Sequence, residues 1–227
     1  LQGTSGQEHA VRKAFREDLT PLVDEVVQNG LGGIYGIRHN ENADAPRIMI
    51  GAHMDEVGFI VTQITPRGML VVGPVGGWNP YTVSAQRFTL FTRDNPYPVV
   101  SSAVSPHFLR EGGVNGAPKI QDILFDGGFT SADEAISFGV HPGDFIVPAV
   151  KTEMLANGKR VVSKSWDNRF GLVTILNALE NLQGVALPNT LMMGANVQEE
   201  VGLRGVGPAV NQLQPDIFFA LDSSAAD

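Results

Sequence analysis

TLMMGANVQEEVG, residues 190–202, is the stretch whose reading decides the fold. An apolar run from Leu191 to Val197 stops at two adjacent carboxylates, Glu199 and Glu200, and Gly202 follows. An unbroken apolar run of this length reads as a core strand, and acids at its carboxyl end sit where open α/β sheets build their sites. Neighbouring strand residues point to opposite faces, so the two acids are expected to do different jobs. A turn at the strand's end would still let both reach one pocket. Read alone, the pair is first of all two solvated glutamates capping the next element, and it is the rest of the chain that reverses this.

Working outward, two more apolar runs end in the same manner. RIMIGA, residues 47–52, runs into His53-Met-Asp55-Glu56, and residues 217–221 end at Asp222. Trp166-Asp167-Asn168-Arg169 precedes a helix expected to continue through Leu182, with Leu172, Leu176 and Leu179 on its buried face. A short helix is expected over 208–213. Near the start, Ser5-Gly-Gln-Glu8 has the form of a capping box, and Val11, Phe15 and Leu19 follow at four-residue spacing. That predicts an amphipathic helix ending before Pro21, then a strand over 22–27, a glycine turn over 29–33 and a returning strand over 34–38.

Between residues 59 and 148 the pattern changes to short β-rich runs broken by glycine and proline: FIVTQI, MLVVGPV, QRFTLFT, VVSSAV, DILFDGG and DFIVP. One helix signal, Ser131-Ala-Asp-Glu134, interrupts them. Short strands with frequent turns predict a small barrel or sandwich. The expected organisation is an α/β domain over 1–58 and 149–227, with an all-β insertion over 59–148 that serves in dimerisation or as a lid. Asn157-Gly158 predicts a tight hairpin between 153–156 and 160–163.

The formal charge of −8 argues against nucleic acid or an anionic membrane surface as partner and suits cations. The chain has no cysteine, which excludes disulfides, thiolate metal sites and a cysteine nucleophile. No apolar run approaches a membrane span, and the first twenty residues are amphipathic and charged, unlike a signal peptide. A cytoplasmic protein is the expectation, and Leu1 in place of Met puts the true start upstream.

In an open α/β sheet, groups at the carboxyl ends of parallel strands line one crevice. Here it would hold His53 and several carboxylates. Oxygen and imidazole donors without thiolate suit zinc, cobalt or manganese and are too nitrogen-poor for copper. Two close cations need a bridging carboxylate, which Asp167 could supply; in isolation Asp167 reads first as a helix cap. Asp55, two residues beyond His53, would fix the ring's tautomer from its far nitrogen. Asp222 reads equally as a turn residue, and His9, His39, His107 and His141 read as surface or packing residues.

Ala52-His-Met-Asp-Glu-Val-Gly58, Ser165-Trp-Asp-Asn-Arg169, Val197-Gln-Glu-Glu-Val-Gly202 and Ala220-Leu-Asp222 resemble the motifs of cocatalytic metallo-aminopeptidases of the tetrahedral type, most of all the bacterial glutamyl group. The intervals fit as well, with 114 residues from His53 to Asp167, 32 on to Glu199, and 22 from Glu200 to Asp222. The resemblance implies a zinc-peptidase-like three-layer α/β sandwich with an inserted β-barrel, and two divalent ions per subunit, zinc or cobalt with manganese as an option. It implies that Asp167 bridges the ions, that His53 and Asp222 complete one, and that Glu200 binds the other. Glu199 would be the general base and Asp55 would steady His53. Removal of the N-terminal residue, acidic by likeness to the glutamyl group, from short peptides is the implied reaction. Dimers built into a hollow tetrahedral dodecamer are the implied assembly.

The family places a further histidine ligand and specificity-pocket residues beyond the point where this sequence stops, and no histidine follows His141. The expectation is a piece of a longer protein, since a sheet cut after Asp222 would expose an apolar edge. A metal hydrolase of another substrate class and an inactive truncated assembly module stand as the alternatives.

Overall fold

A computed structural model describes residues 1–103 and 119–224. His107 and the end of the VVSSAV run lie outside the described residues. In chain order the elements begin with helix α1 (His9–Leu19) and strands β1 (Glu25–Gln28), β2 (Ile34–Arg38) and β3 (Arg47–His53). There follow β4 (Gly58–Ile64), β5 (Leu70–Val75), β6 (Arg87–Phe91), β7 (Pro96–Ser101) and β8 (Phe125–Asp126), helix α2 (Ala132–Ser137), and β9 (Phe145–Pro148). A hairpin of β10 (Glu153–Met154) and β11 (Val161–Val162) leads to helix α3 (Trp166–Asn181), β12 (Thr190–Asn196), helix α4 (Val206–Leu213) and β13 (Ile217–Ala220). No helix among the described residues is long and apolar enough to cross a membrane.

These elements form two compact units, Leu1–Glu56 with Ser165–Asp227, and Val57–Lys164. Residues 149–164 therefore group with the unit that holds the β-rich runs. In the first unit a five-stranded sheet has the order β1-β2-β12-β3-β13. β12 runs parallel to β3, pairing Asn196 with His53, and β13 also runs parallel to β3. β2 and β1 close the other side antiparallel. Every residue of β12 is buried, as its unbroken apolar run requires of a strand covered on both faces.

Alternation along β12 assigns its side chains to two cores. Leu191, Met193 and Ala195 pack with Val11, Phe15 and Leu19 of α1 and Leu172, Ile175 and Leu179 of α3. Met192 packs on the opposite face with Tyr35, Met49, Ala209 and Leu213, the last two from α4. Helices on both faces make the expected three layers. Gly194 permits the tight approach of β12 to β2, for a Cβ there would lie 2.1 Å from the Ile34 carbonyl oxygen.

The second unit contains a closed barrel of order β4-β5-β8-β7-β6-β9. Its interior is filled by Phe59, Leu70, Phe88, Leu90, Phe125 and Ile146, with Phe125 centred 5.1 Å from Phe59 and 5.0 Å from Phe88. Closure leaves the barrel without exposed strand edges.

Two local expectations need correction. The strand expected over 22–27 starts at Glu25, because Thr20–Leu22 continues from α1 as a 3-10 turn that accommodates Pro21. Ser5 does not cap α1: the cap position is Glu8, which makes no side-chain capping bond. The Ser5 hydroxyl donates instead to Asp55 Oδ2 at 2.6 Å. A buried carboxylate accepts more strongly than a neutral partner, and Ser5 lies a turn too far upstream to reach the helix amides.

Candidate metal centre

The parallel strands β12, β3 and β13 finish at one edge of the sheet. His53 is the last residue of β3 and only 3% exposed, while Asp222 stands two residues past the end of β13. Asp167 arrives from the opening of α3, where the backbone is not yet helical: Asp167 has φ −85° and ψ 106°, Asn168 φ −127° and ψ 36°. Ser165, not Asp167, occupies the cap position. Asn168 ties this opening down, its Nδ2 donating to the Leu221 carbonyl at 2.7 Å and its Oδ1 accepting from Gly171 N at 3.2 Å. The effect is to bring Asp167 beside the end of β13.

His53 Nε2 is 2.9 Å from Asp167 Oδ1 and 3.8 Å from both Asp222 Oδ1 and Glu199 Oε2. One donor atom from each of His53, Asp167 and Asp222 lies within 4.8 Å of the others, an arrangement that suits a metal ion. The other ring nitrogen, Nδ1, faces Asp55, 3.1 Å from its backbone oxygen and 3.4 Å from Oδ1. Asp222 Oδ1 also accepts the N–H of the next residue, Ser223, at 2.7 Å.

Glu199 and Glu200 follow the strand in a loop, since β12 ends at Asn196. Opposite-face alternation therefore does not govern them. Their backbone N–H groups donate to Asp55 Oδ1 at 3.0 Å and Oδ2 at 3.1 Å. Asp55, fully buried, thus ties the histidine to the loop of the two glutamates.

Electrostatics reflect the crowding. Burial pushes the His53 imidazole down, but the hydrogen bond and charge of Asp55, then Glu199 and Asp167, outweigh it and raise it to about 9. Burial, then the charge of Asp167, lifts Glu200 to about 7. Burial also raises Glu199, with Asp222, Asp55 and Asp167 adding and His53 opposing. Asp55 is held below the ordinary carboxylate range: burial works against this, and the bonds from His53, Ser5 and Glu199 N overcome it. A cluster in which carboxylates raise one another is short of positive charge, and divalent cations would supply it. The donor set fits the ions.

Sequence reasoning missed the ties behind these groups. Glu56 is 4% exposed; its Oε1 accepts from Gly3 N at 3.1 Å and from Arg169 Nη2 at 2.9 Å, and its Oε2 accepts from the Ser165 hydroxyl at 2.7 Å. Arg169 beside Asp167 was the available signal, an arginine at the start of a helix whose following residues are apolar. Nothing local announces Asn168 or Ser5, whose partners lie 53 and 50 residues away.

The chain is similar to several known proteins. Over 228 aligned residues the chain is 50% identical to a glutamyl aminopeptidase of Lactococcus lactis subsp. cremoris (strain MG1363), covering 100% of this chain and 64% of that protein. The chain thus spans under two thirds of that relative's length. A TET aminopeptidase from the marine sediment archaeon Thaumarchaeota archaeon SCGC AB-539-E09 superposes with a TM-score of 0.94 at 34% identity, over 100% of this chain and 64% of the other. The TET1 peptidase of Pyrococcus horikoshii, which can assemble into a tetrahedron or a large octahedral shell, gives 0.88 at 30% identity, over 100% and 67%. The model of the M42 glutamyl aminopeptidases matches residues 32–227, a span that takes in His53, Asp55, Asp167, Glu199, Glu200 and Asp222. It is to this family, the M42 glutamyl aminopeptidases, that the chain belongs.

Proposed function

We propose that the protein is a metal-dependent aminopeptidase that removes the N-terminal residue of short peptides, with Glu199 as general base. The observation that carries the reading is the meeting of His53 Nε2 with Asp167, Asp222 and Glu199 carboxylates, all within 3.8 Å. His53, Asp167, Asp222 and Glu200 would hold two divalent ions, zinc, cobalt or manganese. Bound there, such ions would supply Lewis acidity for the scissile carbonyl and lower the pKa of a water.

The chain's own residues divide the remaining work. With Nδ1 turned to Asp55, the His53 ring presents Nε2 to the carboxylates. In the metal-free protein the raised imidazole donates from both nitrogens, and loading requires the Nε2 proton to leave. Glu199 takes a proton from the attacking water at its carboxylate and returns it to the departing amine. In the metal-free protein, burial and the neighbouring carboxylates raise Glu199 above the ordinary carboxylate range.

Preference for acidic N-terminal residues is supported by the 50% identity to the Lactococcus enzyme. Assembly of copies into a closed shell is supported by the likeness to the TET1 peptidase. The reading is tested by offering the full-length protein aminoacyl and phosphoester chromogens, with and without a chelator. Chelator-sensitive release from the aminoacyl chromogen is expected. Release from the phosphoester alone would place the protein in another hydrolase class.

A further inference from the structure

Three consecutive backbone N–H groups are each taken by a carboxylate oxygen. Gln198 N donates to Glu8 Oε1 at 3.2 Å, Glu199 N to Asp55 Oδ1 at 3.0 Å, and Glu200 N to Asp55 Oδ2 at 3.1 Å. Successive amides turned to one side make a concavity that takes carboxylate oxygens, and here the protein supplies both carboxyl groups itself. Both are buried, Glu8 being 3% exposed and Asp55 0%. Each is also held by the N-terminal segment: Ser5 Oγ donates to Asp55 Oδ2 at 2.6 Å, and Gly6 N to Glu8 Oε1 at 2.7 Å. Glu8 stands at the amino end of α1, where the helix dipole favours negative charge.

The loop so held is not in a relaxed conformation. Gln198 has φ 53°, in the left-handed region that residues with side chains avoid. Such a residue persists when its surroundings over-determine it. We infer that Glu8, assisted by Ser5, is a positioning residue that clamps the 198–200 loop and thereby aims the Glu199 carboxylate. The inference rests on the reading of Glu199 as general base. Glu8 reaches the site through the backbone of Gln198, whereas Ser5 acts through Asp55, which also faces His53. Glu8 therefore offers the cleaner test.

That test compares Glu8→Ala, Glu8→Gln and Glu199→Gln in the full-length protein, reading kcat and KM on a glutamyl p-nitroanilide and the zinc bound per chain. Glu8→Ala is expected to lower kcat by about 10- to 100-fold, the scale set by misplacing a reacting group, with KM and bound zinc little changed. Glu8→Gln keeps an oxygen able to accept both N–H groups and should recover most of the loss. Wild-type kcat in folded Glu8→Ala, or equal losses in the alanine and glutamine variants, would overturn the clamp. Should Glu8→Ala not fold, hydrogen exchange of amides 198–200 in the wild-type protein decides: protection well above that of exposed loops is expected, and loop-like exchange would overturn the inference. Loss in Glu199→Gln with none in Glu8→Ala removes the clamp alone. Full activity in Glu199→Gln removes the general-base reading beneath it.

Discussion

The Nε2 atom of His53 lies 2.9 Å from Oδ1 of Asp167, a residue 114 positions further along the chain. One is buried at the end of a central strand, and the other is exposed at a helix opening that Asn168 fastens to Leu221. Two carboxylates beyond that pair, from Asp222 and Glu199, approach the same nitrogen at 3.8 Å. An acidic set around one imidazole is costly in the absence of cations.

Glu199→Gln keeps the size and the loop hydrogen bond, because Asp55 holds the backbone and not the side chain. Bound metal should be retained while kcat falls by at least ~10²-fold, the usual contribution of a positioned base. Metal analysis alongside steady-state kinetics checks both halves.

Asp167→Asn removes the charge expected to lie between two ions. Bound divalent metal per chain should fall by about half or more, as the loss of a shared anionic ligand requires. His53→Ala should act in the same direction. Both are read by elemental analysis after dialysis.

The shifts also set a pH dependence for the metal-free protein. His53 is raised to about 9, so its contribution to stability is fully present below its unfolded pKa and is lost as pH rises through about 9. Glu200, raised to about 7, behaves likewise: the stability it lends while protonated is full below its unfolded value and is lost as pH rises through about 7. Urea midpoints measured with chelator should therefore decline from pH 6 to pH 9. Zinc binding over the same range should tighten with pH and release protons, which calorimetry in buffers of different ionisation enthalpy detects.

Gly194→Ala tests the packing of the central strand. A methyl group there meets the Ile34 carbonyl oxygen at 2.1 Å and Tyr35 Cα at 2.6 Å, backbone that cannot swing aside. Overpacking of this kind costs about 1–3 kcal/mol or more, so a lower urea midpoint is expected.

Much of this was legible because β12 carries its burial in its composition, whereas β13, equally apolar, lies at the end of the strand order with Ile217, Phe219 and Ala220 exposed. Strands covered on both faces need unbroken apolar runs, and such runs stop where the site begins. The barrel strands were legible from the turn residues that separate them. What local sequence cannot show is a partner chosen across the fold. Ser5 looks like a helix cap until the buried Asp55 claims its hydroxyl. Asp167 looks like a cap as well, until Asn168 draws the chain towards Leu221. The late start of β1 is a local matter by contrast, since Thr20–Leu22 continues α1 as a 3-10 turn with Pro21 at its opening.

The most direct test is an anomalous-difference map from crystals of the full-length protein grown with zinc or cobalt. Strong peaks within coordination distance of His53 Nε2 and of the Asp167 and Asp222 carboxylates are predicted, with a second ion on the Glu200 side of Asp167. A map in which the metal lies elsewhere while these groups keep their direct hydrogen bonds would contradict the proposed centre.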